Sequence, residues 1–189
     1  MNFLEDCEVT MRLLIIAVVV QAALSVDHCP SGADFRSGSS CFYYVSDRML
    51  RHNEAREYCS RTFGGQLALL DNRKKVNDAI RFFYRVFDAE EDEGGVPTAW
   101  VDGYVTKGSN YVIHTNGVVQ RHARWIPSSR DSKTGAHFRW PNFDLFGWHA
   151  RCIVTSLWRR RSRGVERAGF YNVPCNSIYW THPLCEVKK

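Results

Sequence analysis

The sequence predicts an α+β fold held by three disulfide bonds, and three observations carry that prediction. Helix-period patterns occur only in the first half of the chain, and short aromatic and β-branched segments dominate the second. Six of the seven cysteines remain once an amino-terminal export signal is set aside, an even number, as full pairing requires. With 189 residues, 44% of them hydrophobic, the chain can fill one good-sized core, which excludes disorder and argues for one domain. A content of 13% aromatic and 24% charged residues is unlike a coiled coil, a collagen or a low-complexity tail. No stretch reaches the roughly 18 apolar residues that a membrane-spanning helix needs.

Taken from the amino terminus, Leu13–Val20 continues through Gln21 to Leu24 as an apolar run behind Arg12, the length of a secretory h-region. Ala23 and Ser25 supply small residues at the −3 and −1 positions, so residues 1–25 are expected to be a signal peptide cleaved before Val26. A buried core helix or an uncleaved anchor is the competing reading. Glu5, Asp6 and Glu8 make the stretch before Arg12 acidic, against the usual preference, and Met11 is an alternative start. The expected domain is 26–189, extracellular, with Cys29, Cys41, Cys59, Cys152, Cys175 and Cys185 oxidised rather than ligating metal; no CxxC pair occurs.

Cys29–Cys41 brackets a Gly/Ser-rich piece with Phe35, and Cys41–Val45 reads as a strand, so a hairpin closed by its own disulfide is expected. Asn53–Arg61 is helix-forming, with Ala55, Tyr58 and Cys59 at three-to-four spacing, Asn53 as N-cap and Gly64-Gly65 as the stop. Leu67–Leu70 reads as a short buried strand. Asp71 or Asn72 then caps a second helix with Val76, Ile80, Phe83 and Phe87 on one face. Asp88–Gly95 puts five carboxylates ahead of two glycines and reads as a solvated loop; the spacing lacks the alternating oxygens of an EF-hand calcium site. Beyond it, Ala99–Val105, Tyr111–His114, Ile153–Leu157 and Ser177–Trp180 read as strands between polar stretches. The chain ends are tied together if Cys59 pairs with Cys185.

Several motifs in order then resemble the C-type lectin-like domain family over Cys29–Val187. They are Cys29-Pro30-Ser31-Gly32 with Cys41-Phe42, Ala55–Cys59 followed by Gly64–Ala68, and Trp100-Val101-Asp102-Gly103. Trp140-Pro141-Asn142, Cys152-Ile153-Val154, Val173-Pro174-Cys175 and Leu184-Cys185-Glu186 complete the series. The resemblance implies the long form of the fold: two helices packed on short antiparallel sheets, with disulfides Cys29–Cys41, Cys59–Cys185 and Cys152–Cys175. It also implies a long loop region from about Gly103 to Arg151, which in the family carries a calcium ion that binds sugar hydroxyls.

Departures from the family pattern bear directly on the ligand. The family's loop tripeptide is Glu-Pro-Asn or Gln-Pro-Asp, and this chain has Trp140 in its first place. The family's Trp-Asn-Asp strand is here Phe170-Tyr171-Asn172, and Arg151 stands where a carboxylate often precedes the cysteine. Calcium needs six to eight oxygens, with carboxylates supplying most of the affinity. Only Asn142 and Asn172 remain of that set, so no calcium is expected at the usual sugar site, and no other cofactor.

What the segment offers instead is positive charge and aromatic surface. Residues 26–189 carry 24 Lys/Arg against 17 Asp/Glu, and Arg121–Arg167 alone holds eleven basic residues against three acidic ones. Trp158-Arg159-Arg160-Arg161-Ser162-Arg163 lies between Cys152 and Cys175, with room for an extended hairpin or loop. Arginine forks bind sulfate, phosphate and carboxylate bidentately, and Trp or Tyr faces stack on sugars or anchor protein interfaces. The candidate ligand-binding residues are Trp140, Asn142, Arg151, Trp158, Arg159, Arg160, Arg161, Arg163, Tyr171 and Asn172; a solvated basic loop is the plainer reading of the run. Trp100, Trp125 and Trp148 are assigned to the core. No HExxH, GxSxG or phosphate loop is present, and His114, His122, His137 and His149 lack the spacing and companions of a zinc site, so no catalysis is expected.

The expected function is a secreted, calcium-independent lectin-like module for acidic or microbial glycans, with innate recognition as the role the resemblance implies. The second reading is a protein-interaction or extracellular mineral-matrix module that binds no sugar. Nucleic acid is not an expected partner of an exported chain, and the sequence says nothing of oligomeric state.

Overall fold

The computed structural model describes residues 29–89, 98–121, 123–126, 129–130, 137–138, 141, 151–160, 164–176 and 181–189. The expected signal peptide, the Met11 start and the Ser177–Trp180 strand lie outside these residues.

A hairpin opens the described chain. Strand β1 (Phe35–Ser37) pairs with β2 (Ser40–Tyr44), with Phe35 opposite Phe42 and Gly38 at φ 62° in the turn. The Cys29–Cys41 disulfide ties the preceding chain to β2.

Helix α1 spans His52–Phe63, so the expected cap at Asn53 is corrected. Arg51 is the extended N-cap residue, and its N–H donates to the Glu54 carboxylate at 2.9 Å, which fixes the start earlier than Asn53 could. Gly64 ends the helix at φ 63°, where its N–H and that of Gly65 reach back to Ser60 and Cys59 carbonyls. After β3 (Gln66–Leu67), Asn72 Oδ1 accepts the Lys75 N–H at 3.0 Å and caps α2 (Arg73–Ala89). Val76, Ile80 and Phe83 are buried as expected, joined by Ala79 and Phe82, while the Phe87 side chain lies outside what is described. Asp88, expected in a loop, belongs to this helix; residues 90–95 of the acidic stretch lie outside the described residues.

The later strands are β4 (Thr98–Tyr104), β5 (Val112–Ile113), β6 (Val119–Gln120), β7 (Ser129–Arg130), β8 (His137–Phe138), β9 (Cys152–Arg160), β10 (Gly164–Val173) and β11 (His182–Lys188). The main sheet runs β1-β2-β11-β4-β5-β6, with β3 also on β11, β9 on β4 and β10 on β9; β7 and β8 form a separate pair. The carboxy-terminal strand is thus central. It lies antiparallel to β2, with Cys185 opposite Tyr43, and parallel to β4, with Pro183 opposite Trp100.

Alternation along these strands explains the core. Successive side chains point to opposite faces of a sheet. Phe42, Val101, Ile153 and Leu184 join the cluster that includes Val76, Ile80 and Phe83 of α2. Their neighbours Tyr43, Trp100, Val154 and Cys185 join the cluster that includes Ala55 and Cys59 of α1. A helix covers each face, so these strands read as continuous apolar runs rather than as an alternation. Trp100 is fully buried and donates its indole N–H to the Leu50 carbonyl at 2.7 Å. The Cys59–Cys185 disulfide pins α1 to β11, and Cys152–Cys175 joins β9 to the residue that follows Pro174. No described helix is long and apolar enough to cross a membrane.

Candidate ligand-binding surface

The long segment after β4 is anchored at its base by a buried carboxylate. Asp102 accepts the Thr115 N–H at 2.8 Å and the Thr115 hydroxyl at 2.9 Å, one on each oxygen. His114, also buried, donates from Nδ1 to the Asp102 carbonyl at 3.1 Å and lies 3.7 Å from its carboxylate. Burial works to raise the Asp102 carboxyl, but His114 and the two Thr115 donors together hold it below the usual carboxylate range. Both oxygens of Asp102 therefore serve to fasten the β5–β6 turn to β4.

From that anchor the chain passes along β6 to a segment docked on β10. Arg124 O accepts the Phe170 N–H at 2.8 Å and the Ile126 N–H donates to Phe170 O at 2.9 Å. Trp125, expected in the core, is partly buried: its ring meets Phe170 edge-on and its indole N–H donates to Asn110 O at 2.7 Å. Trp148 lies outside the described residues.

This docking opens a groove of about 740 Å³ between the first turns of α2 and residues 120–124. Arg73, Arg121 and Arg124 line it, and all three are exposed. Arg124 Nη1 donates to Asn77 Oδ1 at 3.3 Å, and among the described residues none of the three has a carboxylate partner. The single acid of the lining, Asp71, is occupied on both oxygens by Lys75 at 3.4 Å, Asn72 at 3.0 Å and Asn116 at 3.2 Å. Even with Asp71 counted in full, the lining keeps a net charge of +2.

The sequence reading missed this groove and the part of β10 before Phe170; the family resemblance implies a strand at Phe170-Tyr171-Asn172. Residues 164–169 mix two glycines with Glu166 and Arg167 and carry no strand signal of their own, yet all of them but Glu166 pair with β9. The last β4–β9 pair is Thr98 with Ser156, whereas β9–β10 pairing continues through Arg160 opposite Gly164. Trp158, Arg159 and Arg160 hence occupy the distal end of the hairpin, with a register shift between Val165 and Arg167 opposite them.

The other sequence candidates scatter. Arg151 is exposed just before β9, and its carbonyl accepts the Val105 N–H at 2.9 Å. Tyr171 packs against the α1-side core, where burial pushes its hydroxyl pKa up. Asn172 is fully buried on β10 and so is not available at the surface as a ligand-binding residue, whereas Tyr171 is half-buried. Trp140, Asn142, Arg161 and Arg163 lie outside the described residues, as do His122 and His149. Of the expected calcium donors, Asn172 is a fully buried neutral amide on β10 and Asn142 lies outside the described residues, while the cation Arg151 directly precedes β9. No group of three or more His, Cys, Asp or Glu is placed to hold a metal among the described residues.

Neither a protein-family model nor a curated protein sequence matches the chain. Solved structures do. Human lithostathine is similar at 17% identity and a TM-score of 0.51, over 86% of this chain and 92% of that one. A Ca2+-dependent type II antifreeze protein in its Ca2+-free form is similar at 16% identity and a TM-score of 0.52, over 85% and 100%. The carbohydrate-recognition domain of human scavenger receptor C-type lectin is similar at 14% identity and a TM-score of 0.51, over 86% and 100%. Identities this low speak to architecture alone, and together with the three disulfide pairs and the two-helix, central-β11 topology they show that the chain has the C-type lectin-like fold.

Proposed function

We propose that the chain is an extracellular binding module that recognises acidic glycans or comparable polyanions without calcium, and that it catalyses no reaction. The observation that carries the reading is the register of the β9–β10 hairpin, which continues past the last β4 pair and takes Arg159 and Arg160 to its far end. Arg161 and Arg163 follow directly in sequence. Clustered guanidiniums set up a positive potential that attracts polyanions, and their forked donors match sulfate, phosphate and carboxylate. Three disulfides in one small domain fit an oxidising, extracellular compartment. A similar structure that is itself a carbohydrate-recognition domain supports a binding role over a catalytic one.

The test is retention of residues 26–189 on immobilised heparin, with calcium and with chelator, across a salt gradient. Binding is expected to survive chelator and to fall with salt, because attraction between exposed charges is screened over about 8 Å at physiological ionic strength. Arg159→Ser, Arg160→Ser and Arg161→Ser together are expected to abolish retention at physiological salt. Unchanged retention would sink the hairpin assignment, and calcium-dependent binding of neutral sugars would sink the calcium-independent reading.

The protein-interaction reading has one observation in its favour. Tyr104, Tyr111, Val118 and Val119 are each 37–44% exposed around the β5–β6 edge of the sheet. Association that is insensitive to salt and to the arginine substitutions would select it.

A further inference from the structure

We infer that the groove between α2 and residues 120–124 is a second anion subsite, which takes one sulfate- or phosphate-bearing unit of a saccharide. The inference rests on the polyanion-binding reading, but not on the hairpin as its site.

The groove is assembled from parts far apart in sequence. Arg73 is the first residue of α2, and Arg121 and Arg124 follow β6. The fold brings them to one lining because the main chain at Arg124 is held on β10 by hydrogen bonds on both sides of Phe170. Gly169 permits that approach, since a Cβ there would lie 2.3 Å from Arg124 O. The arginines are therefore carried on fixed backbone, and a fixed site binds at a smaller entropic cost than a loose one.

Charge separates this groove from the other one nearby. A groove of about 730 Å³ beside β1 carries Arg36, Arg81 and Arg85, but also Asp34 and Asp78, and Asp78 is bridged to Lys74 at 2.7 Å and Arg81 at 3.4 Å. At the α2 groove the corresponding guanidiniums have no carboxylate partner among the described residues, while Asn77 and Gln120 add neutral polar groups and Val76 an apolar patch. Three forked cations, amides and a little apolar surface suit a sugar ring bearing an anionic ester. The volume, about 740 Å³, falls within the range of roughly 300–1,000 Å³ typical of small-ligand sites.

The experiment is a titration of the 26–189 domain with a heparin-derived tetrasaccharide, its desulfated counterpart and a phosphorylated mannose disaccharide. It is followed by NMR at the Asn77 and Gln120 side-chain amides and at the Nε–Hε groups of Arg73, Arg121 and Arg124. The expected result is saturable shifts at these groups with a charged sugar and none with the desulfated one; which charged sugar binds identifies the ester. Arg73→Ser with Arg124→Ser is expected to weaken binding about tenfold or more, since each charge-assisted hydrogen bond counts for a factor of this order. Asn77→Asp keeps the shape and places a carboxylate against Arg124, so it is expected to weaken binding similarly while leaving the folded spectrum intact.

In the Arg159/Arg160/Arg161 variant, the tetrasaccharide shifts at Asn77 and Gln120 are expected to persist although retention on long heparin is lost. Loss of both in that variant, absence of groove shifts with either charged sugar, or wild-type affinity of the two groove variants would overturn the subsite. Groove shifts alongside unchanged heparin retention in the hairpin variant would overturn the hairpin assignment instead.

Discussion

His52, the first residue of α1, is largely enclosed and meets Trp100 edge-on at a ring separation of 5.3 Å. Its Nε2 is buried and has no hydrogen-bond partner among the described residues. Burial pushes the imidazole pKa down to about 4 and the Arg56 cation pushes the same way, while Asp102 and a hydrogen bond with the Val101 main chain pull against both. The unfolded chain binds this proton near the ordinary pKa of about 6.5 and the folded one only near 4, so acidification between those values favours unfolding. The stability involved is fully present above about pH 6.5, is lost progressively down to about pH 4, and amounts to at most roughly 3 kcal/mol. Asp78 and Asp102, whose carboxyls are held below the usual range, lose their contributions only at lower pH. The interval from pH 6.5 to 4.5 therefore isolates the imidazole from them. His52→Phe keeps the contact with Trp100 and removes the proton site, so its urea midpoint is expected to stay nearly flat over that interval while that of the parent falls. Equal decline in both would mean that the acid sensitivity lies elsewhere.

At the scale of elements, β10 depends on one missing side chain. A methyl at Gly169 would meet main-chain atoms of Arg124 and Ile126 at 2.3 and 3.2 Å, and neither can swing aside as a flexible side chain would. Gly169→Ala is expected to lift residues 123–126 off β10 and break the two bonds to Phe170. The expected cost is about 2 kcal/mol, with lost hydrogen-exchange protection at the Ile126 and Phe170 amides. Retained protection at both would show that the segment is held in another way. The same residue shows why the part of β10 before Phe170 was not legible in sequence. Gly164 and Gly169 weaken a strand signal, the shift between Val165 and Arg167 disrupts the period, and the pairing that stabilises them comes from β9. Segments whose signal is local were legible: the buried faces of α1 and α2, the glycine stop at Gly64, and the apolar runs of β2 and β4. The helix start at His52 was not, because Glu54 selects it by reaching back to Arg51, and Asn53 looked the better cap on composition. The candidate surface divides in the same way. A run such as Arg159–Arg161 is visible in any window, whereas the groove joins Arg73 to Arg121 and Arg124 only after α2 and β10 have packed.

For the whole molecule, the end of the chain is the keystone. β11 touches β2, β3 and β4, and Glu186 on it is fully buried. Its carboxylate accepts the Leu69 N–H at 2.7 Å and the Lys75 ammonium at 2.8 Å, and Ser40 donates to it as well, so one side chain joins β11 to β2, β3's outgoing chain and α2. The last strand must find its slot between elements that precede it by more than eighty residues, and the fold is accordingly rich in long-range pairings. The Cys59–Cys185 disulfide acts on that closure, since it spans 126 residues, against 12 for Cys29–Cys41. In the loop-entropy account, a cross-link stabilises by restricting the unfolded chain in proportion to the logarithm of the loop it closes. That gives about 5 kcal/mol for the long loop and about 3 kcal/mol for the short one. Cys59→Ala with Cys185→Ala is therefore expected to lower the guanidinium unfolding free energy by about 2 kcal/mol more than Cys29→Ala with Cys41→Ala. Burial adds to the difference, because Cys59 and Cys185 are both fully enclosed between α1 and β11, whereas Cys29 is only partly covered. Equal losses in the two double variants would mean that the unfolded chain already holds its ends close, and that β11 docks without help from the bridge.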